Sequence, residues 1–306
     1  MCPSLASYPI HKIDPVDVFY EEDMGTKHKF WCRVPNDNRQ WLYKFPRPNT
    51  GEHWAEKIAA EFAPLINCTV AQVEFAEFEG TPGSMTRNIR ENERQSIVHG
   101  NELLSCFRGY EKDKLRGQSL HTFKNIVTSI DLRCGSVRCS ECLRGLCGYL
   151  VLDAWIGNTD RHHENWAVLR TEASKDEEEP SYEMCPSFDH ASSLGRELTD
   201  ESRSQILQNG DQAVDAYRMH KKARSAMFWE PQDTKPLHNL ELIRRAHQGY
   251  PECFAPWVEA LKLVNDGATE DILARILEGW MSQEARKFVL AVTARNRIDI
   301  LECLKS

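Results

Sequence analysis

Positive charge is in short supply: 38 Lys and Arg face 46 Asp and Glu across 306 residues, leaving a formal charge of −8 at pH 7. Such a chain has no global pull toward nucleic acid or an anionic membrane, so no direct nucleic-acid contact is expected and any phosphate site must be built locally. Long apolar runs are missing as well. Nothing reaches the roughly 18 residues of a membrane-spanning helix, and the opening MCPSLASYPIHKIDP has neither the basic stretch nor the apolar core of a secretory signal. The eleven cysteines are odd in number and irregularly spaced, which excludes the disulfide framework of a small secreted domain and fits free thiols in a reducing cytosol. Internal repeats are absent, which excludes a solenoid. The expected setting is cytoplasmic, with no membrane span.

What is present is apolar content of 41%, enough for the core of one large domain or of two lobes sharing a cleft. Three short runs, Val16 to Tyr20, Lys29 to Val34 and Gln40 to Phe45, are separated by Gly25 and by Pro35-Asn36-Asp37-Asn38, the pattern of an antiparallel meander. EHWAEKIAAEFA then sets Trp54, Ile58, Ala59 and Phe62 on one helical face, and Cys68 to Phe78 returns to strand composition. From about Ser96 the chain reads as mostly helical. Its clearest helix, ECLRGLCGYLVLDAWIGN, repeats Leu143, Leu146, Cys147, Leu150, Val151, Ala154 and Trp155 on one face and stops at Gly157. Trp166 to Leu169 is a short strand, and the acidic SKDEEEPSYE after it reads as a solvated hairpin tip. EDILARILEGWM, with Ile272, Ile276 and Trp280 on one face, and then KFVLAVTARNRIDILECL complete the helical end. The expected architecture is α+β. Residues 1–88 form a small lobe of antiparallel sheet plus one helix, and residues 89–306 form a larger helical lobe with the reactive loops near its beginning.

The chemistry concentrates in NTDRHHENW and SFDHASSLG. Phosphoryl transfer asks a protein for a group that orients the attacking hydroxyl and for oxygen ligands that hold Mg²⁺ on the phosphates of ATP. Asp160 and Asn165 are five residues apart, the separation of the Asp and Asn in the protein-kinase catalytic loop. Asp189 follows Phe188 beyond the hairpin, where a kinase keeps its main Mg²⁺ carboxylate. Either Asp alone is as readily a helix cap or a turn residue. The two in this order, with a strand between them, point to a phosphotransferase. Because Mg²⁺ prefers oxygen, the histidines among these carboxylates are read as supports: His162 braces the loop by hydrogen bonding and His163 is exposed, while Arg161 meets a phosphate or an acidic neighbour. Cys134, Cys139, Cys142 and Cys147, at steps of five, three and five, are read as free thiols rather than a zinc site.

Taken together, IGNTDRHHENWAVL and SFDHASSLG resemble the catalytic and metal-binding motifs of the HipA-like serine/threonine kinases, over roughly residues 40 to 200. The resemblance implies a two-lobed protein-kinase-like fold with ATP and Mg²⁺ in the cleft. It also implies roles: Asp160 orients the acceptor hydroxyl, Asn165 and Asp189 hold the metal, and Lys44 of WLYKFP touches the α and β phosphates. Glu52 is the carboxylate placed to pair with Lys44, with Glu56 one turn later as the alternative. The stretch DMGTKHKFW carries one glycine in place of G-x-G-x-x-G, so backbone N–H groups at Gly25, Thr26 and Lys27 are the candidate phosphate cradle, and Thr26 is the candidate for self-phosphorylation. The implied acceptor is a protein Ser or Thr. Since such kinases are often toxins, a small DNA-binding antitoxin-like protein is the implied partner.

A DRHxxN loop also occurs in phosphatidylinositol 3- and 4-kinases, so a lipid or small-molecule kinase stays open, as does a non-catalytic module that binds nucleotide or a partner. The acidic net charge argues against work at an anionic membrane, and the retention of Lys44, Asp160, Asn165 and Asp189 argues against a degraded module.

Overall fold

The computed structural model describes residues 5–21, 28–34, 37–174, 179–220 and 223–305. Six strands, β1 (Ile10–Ile13), β2 (Val18–Glu21), β3 (Lys29–Val34), β4 (Asp37–Lys44), β5 (Val73–Phe78) and β6 (Thr81–Arg87), make one sheet in the order β1-β5-β6-β4-β3-β2. Only the β1–β5 pair in it is parallel. Alternation along β3 and β4 sends Phe30, Cys32, Val34, Trp41 and Tyr43 to one face, where they close a small core with Ala76 and Met85.

Helix α1 (Glu52–Phe62) connects β4 to β5, and its Trp54, Ile58, Ala59 and Phe62 are buried as the spacing requires. They enter the larger core shared with the helical part of the chain, where Phe62 stacks on Trp155 at 4.9 Å. This shared packing, the Phe62–Trp155 stack included, sets α1 against the helical part of the chain.

A second sheet, β7 (Gln95–His99), β8 (Ala167–Thr171) and β9 (Ser181–Met184), is antiparallel in that order. Gln95–His99 is therefore a strand and not the start of the helical region. Its partner β8 comes far later in the chain, so the pairing leaves no local periodicity to read. The helices are α2 (Gly100–Leu104), α3 (Phe123–Cys134), α4 (Ser136–Ile156), α5 (Asp200–Gln208), α6 (Asp211–Arg218), α7 (Asn239–Gly249), α8 (Pro251–Leu263), α9 (Asp266–Ala274) and α10 (Gln283–Cys303). The apolar α4 is the axis of this half, with α3, α7, α8 and α10 packed around it. It stops where expected, at Gly157, whose φ of 67° is open to glycine at little cost.

Helix α9 ends at Ala274, short of the expected Trp280. Arg286 of α10 donates to the carbonyls of Leu273 and, at 2.6 Å, Ile276, which satisfies the chain end there. Trp280 turns away to pack on Phe75 of β5 at 5.1 Å. Among the described residues no helix is long and apolar enough to cross a membrane.

Candidate active site

The loop between α4 and β8 carries Asp160 to Asn165, and the loop between β9 and α5 carries Ser187 to Gly195. The first is shaped by its own polar groups. Asn158 donates from Nδ2 to Asp153 at 2.8 Å and accepts the Asp160 N–H at 3.1 Å, which turns the chain back on itself. The Asp160 carbonyl accepts from the His162 N–H (2.8 Å) and from Asn165 Nδ2 (2.7 Å). Asn165 thus spends its amide nitrogen inside the loop and leaves its carbonyl oxygen as a ligand atom. The Asp160 carboxylate, 22% exposed, takes Ser192 Oγ and Arg116 Nη2, each at 3.3 Å.

Arg161 answers the question the sequence left open: its neighbour is acidic. Its guanidinium is 1% exposed and grips Asp153 through two bonds of 2.7 Å. The same group donates to the carbonyls of Asn165 (2.6 Å) and Phe188 (3.1 Å) and to Ser187 Oγ (3.0 Å), tying the two loops together. Burial alone would lower its pKa, but the charge of Asp153 outweighs that and leaves it raised.

Ser187 extends the chain of contacts. Its oxygen accepts from Arg161, so its single proton goes to His190 Nε2 at 2.7 Å. That puts the one N–H of the neutral ring on Nδ1, which faces Glu56 Oε1 at 3.5 Å; both side chains are fully buried. Glu56 belongs to α1, and its two oxygens have no hydrogen-bond partner within normal reach. Burial works to raise its pKa, but the charge of Lys44 and the contact with His190 pull it below the usual carboxylate value.

Lys44, 11% exposed at the end of β4, lies 3.3 Å from Asp189 Oδ1. Burial pushes its pKa down, yet Asp189 first and Glu56 second act against this, and the net shift is upward. Asp189 itself has a φ of 58°, an uncommon conformation for a residue with a side chain, and one found at sites where geometry is imposed by function. Glu52, the first choice to pair with Lys44, is held by Arg47 (2.7 Å) and Arg196 (2.6 Å), and acts on Lys44 more weakly than Glu56 does. The two glutamates are one turn apart on α1: Glu52 meets the Arg47 and Arg196 side chains, while Glu56 is fully buried beside His190.

The histidines divide in the same way. His162 accepts the Glu164 N–H at 3.2 Å within the loop. His163, expected at the surface, is 1% exposed, because the segment after α2 folds over it and sets the Tyr110 hydroxyl against its Nδ1. Cys142 and Cys147 are buried in α4, the first beside Cys134 and the second beside Cys253. Gly25, Thr26 and Lys27 lie outside the described residues.

These residues fit a nucleotide with Mg²⁺. The donor set is of oxygens, from Asn165 and Asp189, as that ion demands. Lys44 stands beside Asp189 as the cation a phosphate requires, and the buried charge of Glu56 favours its protonated form. Spacing alone did not reveal Arg116 or Ser192 as parts of this site; His190 stood out beside Asp189 in the SFDHASSLG motif, but its contacts with Ser187 and Glu56 could not be read there. The signal for Arg161 was there: an Asp, Asp153, set in an otherwise apolar helix face demands a buried partner.

Comparison with known proteins bears on the fold and the family. No curated protein matches the sequence. Among solved structures, the Helicobacter pylori proinflammatory kinase CtkA aligns with 96% of this chain and 94% of its own, with a TM-score of 0.71 at 16% identity. HipA of Shewanella oneidensis MR-1, solved with HipB and its operator DNA, aligns with 96% of this chain and 67% of its own, with a TM-score of 0.54 at 13% identity. At these identities the two speak for the fold, which is the two-lobed kinase fold expected from the motifs. The model of the HipA-like C-terminal domain matches residues 23–248, most of the chain, and the protein accordingly belongs to that family.

Proposed function

We propose that this chain is an Mg·ATP-dependent protein kinase that phosphorylates Ser or Thr hydroxyls. The observation that supports it most is the contact of Lys44 with Asp189 at 3.3 Å, with Glu56 buried behind it. In this reading the cleft separates the sheet lobe, residues 1–88, from the helical lobe, residues 89–306. Lys44 holds the α and β phosphates, with Glu56 keeping it charged and in place and Glu52 anchoring the loop before α1. Asn165 and Asp189 hold the metal. Bound Mg²⁺ supplies neutralisation of the charge that develops on the transferred group. Asp160 orients the acceptor hydroxyl and takes its proton, and its backbone carbonyl keeps Asn165 turned toward the cleft. Gly25, Thr26 and Lys27 are the proposed phosphate cradle, on sequence alone. A cytoplasmic setting belongs to the same reading, as does a small antitoxin-like partner, for which the support is the pairing of HipA with HipB in the aligned structure.

The test is incubation with Mg²⁺ and γ-labelled ATP, alone and with cell lysate, beside Asp160→Ala and Asp189→Ala. Label on protein that vanishes in both variants is the expected result. Label on lipid or on a small molecule, with none on protein, would overturn the choice of acceptor.

A further inference from the structure

One cavity, of about 720 Å³, is lined by Thr159, Ser192 and Arg116, the neighbours of Asp160. Neither Lys44, Asn165 nor Asp189 lines it, so it is not the phosphate side of the cleft. Its walls include Thr159, which precedes Asp160, and both side chains that bond the Asp160 carboxylate, Arg116 and Ser192. In depth it is apolar: Ile156, Leu194, Val292 and Ile300 line it and are at most 3% exposed. The mouth is exposed at Met219, on the end of α6, and at Arg116, whose side chain is 80% exposed.

The charges around the mouth are not equivalent. Arg196 is engaged by Glu52 at 2.6 Å, Arg218 by Asp299 at 2.8 Å, and Glu197 accepts the Tyr217 hydroxyl at 3.0 Å. Arg116 has Asp160 as its one hydrogen-bond partner among the described residues, through a single bond of 3.3 Å in an exposed setting. That is a weak hold on a guanidinium, which a second carboxylate would readily share.

We propose that this cavity is the acceptor subsite: it receives a large apolar side chain close to the phosphorylated Ser or Thr of a protein segment, while Arg116 pairs with an acidic residue of the same segment. The inference rests on the reading of Asp160 as the residue that orients the hydroxyl. The pocket is of the size that holds a bulky side chain or small ligand, and its open, cationic edge suits a chain that passes across it. Engagement of Arg116 by the incoming carboxylate frees the Asp160 oxygen it holds, so that the acceptor hydroxyl can donate there.

The experiment is a positional library of soluble Ser and Thr peptides, labelled by the full chain with Mg²⁺ and γ-labelled ATP. Enrichment of Leu, Met or Phe at one position and of Asp or Glu at another is expected. Ala216→Trp, which adds bulk at an exposed α6 position on the cavity wall, should raise the peptide KM by about tenfold or more and erase the apolar preference, with the KM for ATP kept. Ala223→Trp, also on the wall, gives the same readout if the first variant lowers the melting temperature. Arg116→Gln should lose the acidic preference and keep the apolar one, with a change in turnover as well, because it removes a hydrogen bond to Asp160. A wild-type profile without apolar selection, or one that either Trp variant leaves unchanged, overturns the subsite. A protein that binds Mg·ATP and labels no peptide, in lysate or library, overturns the protein-kinase reading and this inference with it.

Discussion

The Arg161 guanidinium and the Asp153 carboxylate meet through two bonds of 2.7 Å, each side chain 1% exposed. A fully buried ion pair is costly to form and costlier to break by halves, since the remaining charge has no water to turn to. Asp153→Ala should therefore lower stability by about 3–5 kcal/mol. The double change Asp153→Leu with Arg161→Met should recover part of that in urea melts, yet stay inactive, because the carbonyls of Asn165 and Phe188 lose their donor. A single-variant loss under about 1 kcal/mol would show that the pair is solvated.

Helices with an uninterrupted apolar face were legible in the sequence, as α1 and α4 show, because burial on one side imposes a spacing. The two motif stretches were legible as loops too, one between α4 and β8 and one between β9 and α5, because their runs of polar residues interrupt the apolar spacing on either side. The strand Gln95–His99 and the early end of α9 were not: each is decided by a partner distant in sequence, β8 in one case and Arg286 in the other. The choice between Glu52 and Glu56 turned on where Arg47 and Arg196 place their guanidinium groups, and only the folded chain brings Arg196 to α1.

That choice has a kinetic consequence. Of the two glutamates Glu56 acts more strongly on Lys44, so Glu56→Gln should cut kcat/KM for ATP by about tenfold or more. Glu52→Gln frees Arg47 and Arg196 and should appear mainly as a lower melting temperature. Equal losses of kcat/KM in the two variants would return the pairing role to Glu52.

Acid should weaken the fold through two histidines. Burial pushes the imidazole of His121 down to about 3 and that of His163 down to about 4, against about 6.5 for an exposed histidine. His121 is held neutral by its contacts: Nδ1 donates to the Ala226 carbonyl at 3.1 Å and Nε2 accepts from Trp166 Nε1 at 3.1 Å. Because the unfolded chain binds protons that the fold refuses, their contribution is complete above about pH 6.5. It falls as pH drops toward about 4, by up to about 1.4 kcal/mol per pH unit for each group. Urea midpoints at about pH 7 and about pH 5 measure the slope. His121→Gln, which keeps a donor and an acceptor but does not titrate, should make it shallower. An unchanged slope in that variant would mean that His121 takes up its proton without unfolding.

Gly195 and Gly157 offer a controlled pair. Both sit in the left-handed region, at φ of 69° and 67°, where a side chain costs about 1–2 kcal/mol. They differ in what a methyl group would meet. At Gly195 it would lie 2.4 Å from Phe288 Cε1, and Phe288 is fully buried against Val214 and Val292, with little room to move. At Gly157 the nearest atom is Asn296 Nδ2, at an ordinary 3.8 Å. Gly157→Ala should show the backbone cost alone, and Gly195→Ala that cost plus about 1–3 kcal/mol of overpacking. Adding Phe288→Leu to Gly195→Ala should relieve part of the excess, although the smaller residue leaves its own void. Equal losses for the two alanine variants would show that the Phe288 ring shifts freely, and that the turn closing the SSLG motif is set by its backbone alone and owes nothing to the packing of α10 behind it.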